Sequence, residues 1–207
     1  MNQITLSENV MVSDPCYSPD TWCQTKLNSV LPGLYNVDVQ KSDEGDWGVR
    51  VSSITVIHKD YEDTDDWEQH SECGVDSGQC GVFCMTSYRN DEIVPSITTP
   101  ESDFSLGNYR KDSEGGEKWY EAMCKFTLSK DQSGLYDTGV VTSSGIGDGM
   151  YPMDVMMDED KIVGIRITYL GNSDEDLLDE GDCCGVCGGE LEPDGECVYC
   201  CDEKTED

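Results

Sequence analysis

Positive charge is what this sequence has least of: 13 Lys and Arg stand against 44 Asp and Glu in 207 residues, a formal net charge of -31. So few cations leave a surface that repels nucleic-acid phosphates and anionic lipid at moderate salt, which excludes direct DNA, RNA or membrane-surface binding. Long apolar runs are also missing, and none approaches the ~20 residues that a bilayer crossing needs. The opening "MNQITLSENVMVSDPCY" has neither the basic nor the apolar region of a signal peptide. The expectation is a soluble, cytoplasmic protein. Histidine is nearly absent. His58 and His70 both precede Cys80, so a cysteine hydrolase has little choice of base, and the surrounding acid raises a thiol's pKa rather than lowering it. Salt adaptation alone does not suit a chain with nine Lys to four Arg and abundant cysteine.

Cysteine is present in excess, with 12 residues. Secreted disulfide scaffolds are usually short chains with signal peptides, so metal ligation and buried free thiols are expected here instead. Six of the twelve fall in the closing stretch "DCCGVCGGELEPDGECVYCCDEKTED". Cys184 and Cys187 form one CxxC knuckle, and Cys197 and Cys200 a second after a nine-residue gap holding a Pro-Asp-Gly turn. Four thiolates at this spacing suit tetrahedral zinc, with iron as the alternative occupant. The stretch resembles a zinc ribbon with a rubredoxin-like first knuckle, which implies a structural zinc. Cys183 and Cys201 are surplus to four ligands. The tail lacks the Lys and Arg that would neutralise phosphate, so it is expected to stabilise or dock.

Apolar residues alternate with period two in "GLYNVDVQ" (33–40), "GVRVSSITVIH" (48–58), "GVFCM" (81–85), "KFTLS" (125–129), "GVVTSS" (139–144) and "KIVGIRITYL" (161–170). That period predicts half-buried strands, divided by the turn clusters "KSDEGDWG", "DQSG" and "DEDK". Helices are predicted in "SPDTWCQTKLNSVL", from its Ser18-Pro19 start, and in "GEKWYEAMCK" from Gly116. The fold class expected is α+β, mainly antiparallel β in a sandwich or partly open barrel with one or two helices, over residues 1–172. An acidic linker at 173–182 and the ribbon with its acidic tail at 183–207 follow.

Polar, Gly-rich stretches interrupt the strands where packing alone favours Val or Ile. Asp14-Pro15-Cys16-Tyr17, Val75-Asp76-Ser77-Gly78-Gln79, Trp119-Tyr120 with Cys124, and Ser143-Ser144-Gly145 leading to Gly147-Asp148-Gly149-Met150-Tyr151-Pro152 carry this character. Together they are similar to the domain-of-unknown-function 4241 family of bacteria and phage genomes, over about residues 9–170. The resemblance implies a β-rich fold. Were the family to share a site, Asp14, Tyr17, Asp76, Ser77, Gln79, Ser144, Asp148 and Tyr151 are its candidate residues, with Ser143 beside them. Cys80 stands where the family pattern has a variable residue, so no nucleophile is implied there. The same residues equally suit turn-binding carboxylates, a bulged hairpin and core tyrosines. No loop has the spacing of a calcium site.

The run "KDYEDTDDWEQHSE" at 59–72 sets seven carboxylates close together, among them Asp60, Glu62, Asp63, Asp65, Asp66 and Glu68, around Tyr61 and Trp67. It suits either a solvated loop or a phosphate-like surface that docks on the basic groove of a nucleic-acid-binding protein, with the aromatics as anchor. The function expected is therefore noncatalytic: a phage or bacterial accessory or inhibitor protein bound to a basic surface of a host partner. The alternatives are a small-molecule, nucleotide-like sequestering protein holding an anion on the amides of "SSGIGDG", and a hydrolase using Asp76 or Asp148.

Overall fold

The computed structural model of the protein describes residues 2–97, 105 and 115–171. The chain divides into two units, Met1–Leu170 and Gly171–Asp207, and the first is described here. The expected linker, the expected ribbon and its four expected ligands Cys184, Cys187, Cys197 and Cys200 lie outside the described residues.

In chain order come β1 (Gln3–Leu6), β2 (Val10–Ser13), β3 (Thr25–Leu27), β4 (Gly33–Asp43), a 3-10 turn (Gly45–Trp47), β5 (Val49–His58), β6 (Trp67–Val75), β7 (Gln79–Cys84), α1 (Glu117–Thr127), β8 (Ser133–Tyr136), β9 (Gly139–Ser143), β10 (Gly149–Asp158) and β11 (Lys161–Thr168). The strands form two antiparallel sheets, ordered β1-β4-β5-β11-β10-β6 and β3-β2-β7-β9-β8. No helix among the described residues is long and apolar enough to cross a membrane.

Alternation along the strands builds three layers. Ile4, Leu6, Val37, Ile54, Val56, Ile165 and Ile167 of the six-stranded sheet share one buried cluster with Val10, Val12, Val82 and Val140 of the five-stranded sheet. The intervening residues Met11, Phe83 and Val141 point to the other face, where Trp119, Ala122 and Met123 of α1 cover them. The middle sheet is thus apolar on both faces, which is why β2 and β7 are buried at every position. Close approach of the helix requires glycine beneath it. A Cβ at Gly134 would lie 1.9 Å from Cδ1 of Phe126. The helix starts under a long-range cap, with Asp91 accepting from the amides of Gly116 (3.1 Å) and Trp119 (3.0 Å).

Four predicted elements differ from the structure. The stretch 18–31 is not helical: Asp20 takes φ 72, the Thr21 hydroxyl bonds Ser18 O, Trp22 is 85% exposed, and the chain then enters β3. Part of "KFTLS" is the last turn of α1, where Phe126 seats on Gly134 rather than alternating along a strand. The acidic run is not all loop, since its second half is β6, the edge strand beside β10. "SSGIGDG" is no hairpin, because β9 and β10 belong to different sheets. Strands β1, β2, β3, β6, β8 and β10 lie outside the predicted set: most are polar or very short, and in β10 Pro152 and two register shifts break period two.

Candidate functional site

The crossing of the chain between sheets brings the Gly-rich stretches together. Residues 14–18 leave β2, residues 76–78 link β6 of one sheet to β7 of the other, and residues 144–148 link β9 to β10. Asp14 sits at their centre, fully buried. Its Oδ1 accepts from Cys16 N (2.7 Å) and the Ser77 hydroxyl (2.7 Å), and its Oδ2 from Asp76 N (2.9 Å) and Ser77 N (2.7 Å). Four donors saturate an acceptor-only group.

The remaining predicted residues continue this lattice. Asp148 Oδ1 accepts from Gly78 N (3.1 Å), in a turn where Gly78 takes φ 67 that L side chains rarely adopt. Ser144 N donates to Gly78 O (3.0 Å), and its hydroxyl to Gly147 O (2.8 Å). The Tyr151 hydroxyl donates to Gly147 O (2.7 Å), with Ser144 O 3.1 Å away. Gln79 donates to Ser77 Oγ (3.2 Å) and accepts from Thr127 of α1 (2.9 Å). Ser143 lies apart, its hydroxyl on Gln132 Oε1 (3.2 Å). Asp14, Asp76, Ser77, Gln79, Ser144, Asp148 and Tyr151 are therefore brought together, and most of their polar atoms are spent on one another.

Tyr17, Cys16, Tyr120 and Cys124 complete the wall. Burial, with Asp14 next, pushes the Cys16 thiol up. Burial and then the Cys23 thiol do the same to the Tyr17 phenol, and burial leads for Tyr120 and Cys124. These groups stay protonated and neutral at ordinary pH, so they donate hydrogen bonds but supply neither thiolate nor phenolate. Cys80 is likewise raised, first by its contact with Cys73, whose sulfur is 3.3 Å away, and then by burial. Neither histidine is here. His58 is buried between Tyr35 and Tyr61, and His70 lies on β6. Among the described residues no group of three or more His, Cys, Asp or Glu is placed to hold a metal ion. Six described cysteines are free, five of them buried.

Sequence reasoning missed the residues that hold the 14–18 loop. The Tyr88 hydroxyl meets the carbonyls of Asp14 (3.0 Å) and Tyr17 (2.7 Å), and Arg89 Nη1 donates to Pro15 O (2.9 Å) and Cys16 O (3.2 Å). Gln24 reaches Ser13 and Tyr88, both at 3.0 Å. One signal was available: Arg89 is among only four arginines.

The acidic run occupies a second surface. Glu62, Asp63, Asp65, Asp66, Glu68 and Glu72 are exposed, and Asp60 pairs with Lys59 (2.5 Å). Its aromatics are engaged within the protein rather than offered to a partner. Trp67 packs against Ile57, Met156 and Val163, donates to Asp63 (2.9 Å) and lies under the Arg166 guanidinium at 4.3 Å. Tyr61 donates to Asp158 (2.5 Å). Acid along β6 also shields an edge strand from pairing with copies of itself. Comparison with family models, curated proteins and solved structures returned no match.

Proposed function

We propose that the protein is a noncatalytic, acidic interaction protein that docks on a basic, nucleic-acid-binding surface of a partner protein. The observation that carries this reading is the exposure of all seven carboxylates of the 60–72 run along one turn and one sheet edge, in a chain of net charge -31. Such a field accelerates encounter with a cationic surface and weakens as salt screens it over ~10 Å. The cluster around Asp14 supports a noncatalytic role, because its carboxylate is saturated by four donors and its thiols and phenols are held protonated. A cytoplasmic setting fits the free thiols of Cys73 and Cys80, which would be kept reduced there. Kinship with the domain-of-unknown-function 4241 family, and a structural zinc on Cys184, Cys187, Cys197 and Cys200, belong to the same proposal.

The test is capture of lysate proteins on the immobilised chain at ~50 mM and ~300 mM salt, a range over which exposed charge pairs are progressively screened. The expected result is a basic protein retained at the lower salt and released at the higher. Retention indifferent to salt, or a small molecule released from the denatured protein with no partner captured, refutes the reading.

A further inference from the structure

The two sheet edges that meet beside the acidic run do not close along their whole length. At one end the Thr25 hydroxyl of β3 touches Ser71 of β6 (2.9 Å). At the other, Ile162 N donates to Ser29 O (2.9 Å) and Leu31 N to Ile162 O (2.9 Å). Between these ends lies a slot of about 430 Å³, within the ~300–1,000 Å³ typical of ligand sites. Ser29 follows Thr25 by four positions, so at ~3.3 Å per residue the opening is at most roughly 13 Å long.

Its lining combines the apolar Leu27, Val155, Met157 and Ile162 with two carboxylates, Glu68 and Asp160, and is completed by Lys26, Asn28, Ser29 and His70. Neither carboxylate has a hydrogen bond or ion pair to a side chain among the described residues, whereas the cation at the rim, Lys26, is already paired with Asp20. Apart from Glu72 O, which accepts from the Thr25 hydroxyl of β3 (3.4 Å), the β6 backbone at residues 67–72 bonds no strand other than β10 among the described residues, and β3 pairs only with β2. A largely unpaired strand edge, apolar lining residues and unpartnered carboxylates together describe a seat for an extended peptide, held by main-chain bonds to the edge and by side chains in the slot.

We infer that the slot between β3 and β6 receives a short extended segment of a partner protein bearing lysine or arginine. The aliphatic stems pack on Met157, the exposed apolar residue of the slot, while the cationic heads reach Glu68 and Asp160. A second copy of this chain is not the occupant, because two edges of this acidity repel. The inference rests on the proposed docking function and assigns it a place.

The probe is a fluorescein-labelled octapeptide of alternating Lys and Val, titrated by anisotropy in ~50 mM salt, where exposed pairs are little screened. Removing both slot charges in E68Q/D160N is expected to weaken binding roughly tenfold, as for two partly desolvated pairs. The control D46N/D131N, which changes net charge equally at exposed positions elsewhere, is expected to change it less than about twofold. On the unmodified protein, bound peptide is expected to slow amide exchange within residues 67–72. Equal weakening by both double variants, or unchanged exchange at β6, overturns the slot while leaving salt-sensitive docking intact. Absence of peptide binding together with absence of salt-sensitive capture overturns both.

Discussion

Replacing Asp14 separates a structural carboxylate from a functional one. Its two oxygens take three backbone amides and one hydroxyl, and these donors come from the two segments that carry the chain out of β2 and between the sheets. Asp14→Ala strands all of them. At ~1–3 kcal/mol for each deprived buried donor, eased where water reaches the part-buried Cys16 and Ser77 amides, the loss is about 4–5 kcal/mol. Asp14→Asn is milder and more informative. The amide nitrogen must replace one oxygen, and the Oδ1 side is favoured because the Ser77 hydroxyl can turn to accept while only the Cys16 amide loses its partner. The expected loss is about 2–3 kcal/mol, read as a lower urea midpoint at unchanged slope, or a fall of roughly 5–10 °C in melting temperature. The exposed neighbour in Asp76→Asn is expected to shift stability by less than ~0.5 kcal/mol. A neutral or stabilising Asp14→Asn refutes the reasoning, since relief on neutralisation is the behaviour of a carboxylate kept for function at a cost in stability.

Further outcomes follow from the packing. Burial holds Tyr136 above its ordinary 10.0, at about 12, and raises Tyr35, Tyr88 and Tyr169 as well. The unfolded chain therefore gives up these protons first as pH rises. Stability is expected to be indifferent to the tyrosines below pH 10 and to fall from there through pH 12, with phenolate absorbance appearing together with unfolding; independent early titration of every tyrosine contradicts this. Gly134→Ala places a methyl inside the Phe126 ring and is expected to cost about 2–3 kcal/mol by denaturant titration, whereas a neutral result would unseat α1 from β8. For the tail, metal analysis is expected to return about one zinc per chain, lost in Cys187→Ser with the urea midpoint of the β unit unchanged. A metal-free wild-type protein removes the ribbon.

The sequence revealed the fold where alternation was undiluted. The runs at 33–40, 48–58 and 161–170 became β4, β5 and β11, inner strands of the larger sheet, because most of their Val and Ile face the core shared with the smaller sheet, with Ile57 and Val163 buried in a separate cluster. Edge strands were hidden: β6 shows polar residues at positions 68–72 on both faces, since an edge has little to bury. The region from Ser18 offered a helix start, yet Gln24, Thr25 and Leu27 are claimed by Tyr88, Ser71 and the core, contacts that no local pattern encodes. The candidate site was legible as a set, because carboxylates and glycines were needed wherever the chain changes sheets. Its meaning was not, as the number of donors around Asp14 appears only once the segments that follow β2 and β6 are brought together. The slot was invisible for the same reason, being bounded by residues 26–29, 68–70 and 155–162.

The order of the larger sheet bears on how the protein is made. Strand β5 lies between β4 and β11, so the nascent chain presents the apolar edge of β5 from the time His58 emerges until Thr168 follows. At ~5–20 residues per second that interval is on the order of ten seconds. Throughout it, the exposed edge must be kept from other unfinished chains, and mutual repulsion among growing polypeptides this rich in acid gives that protection before any partner is met.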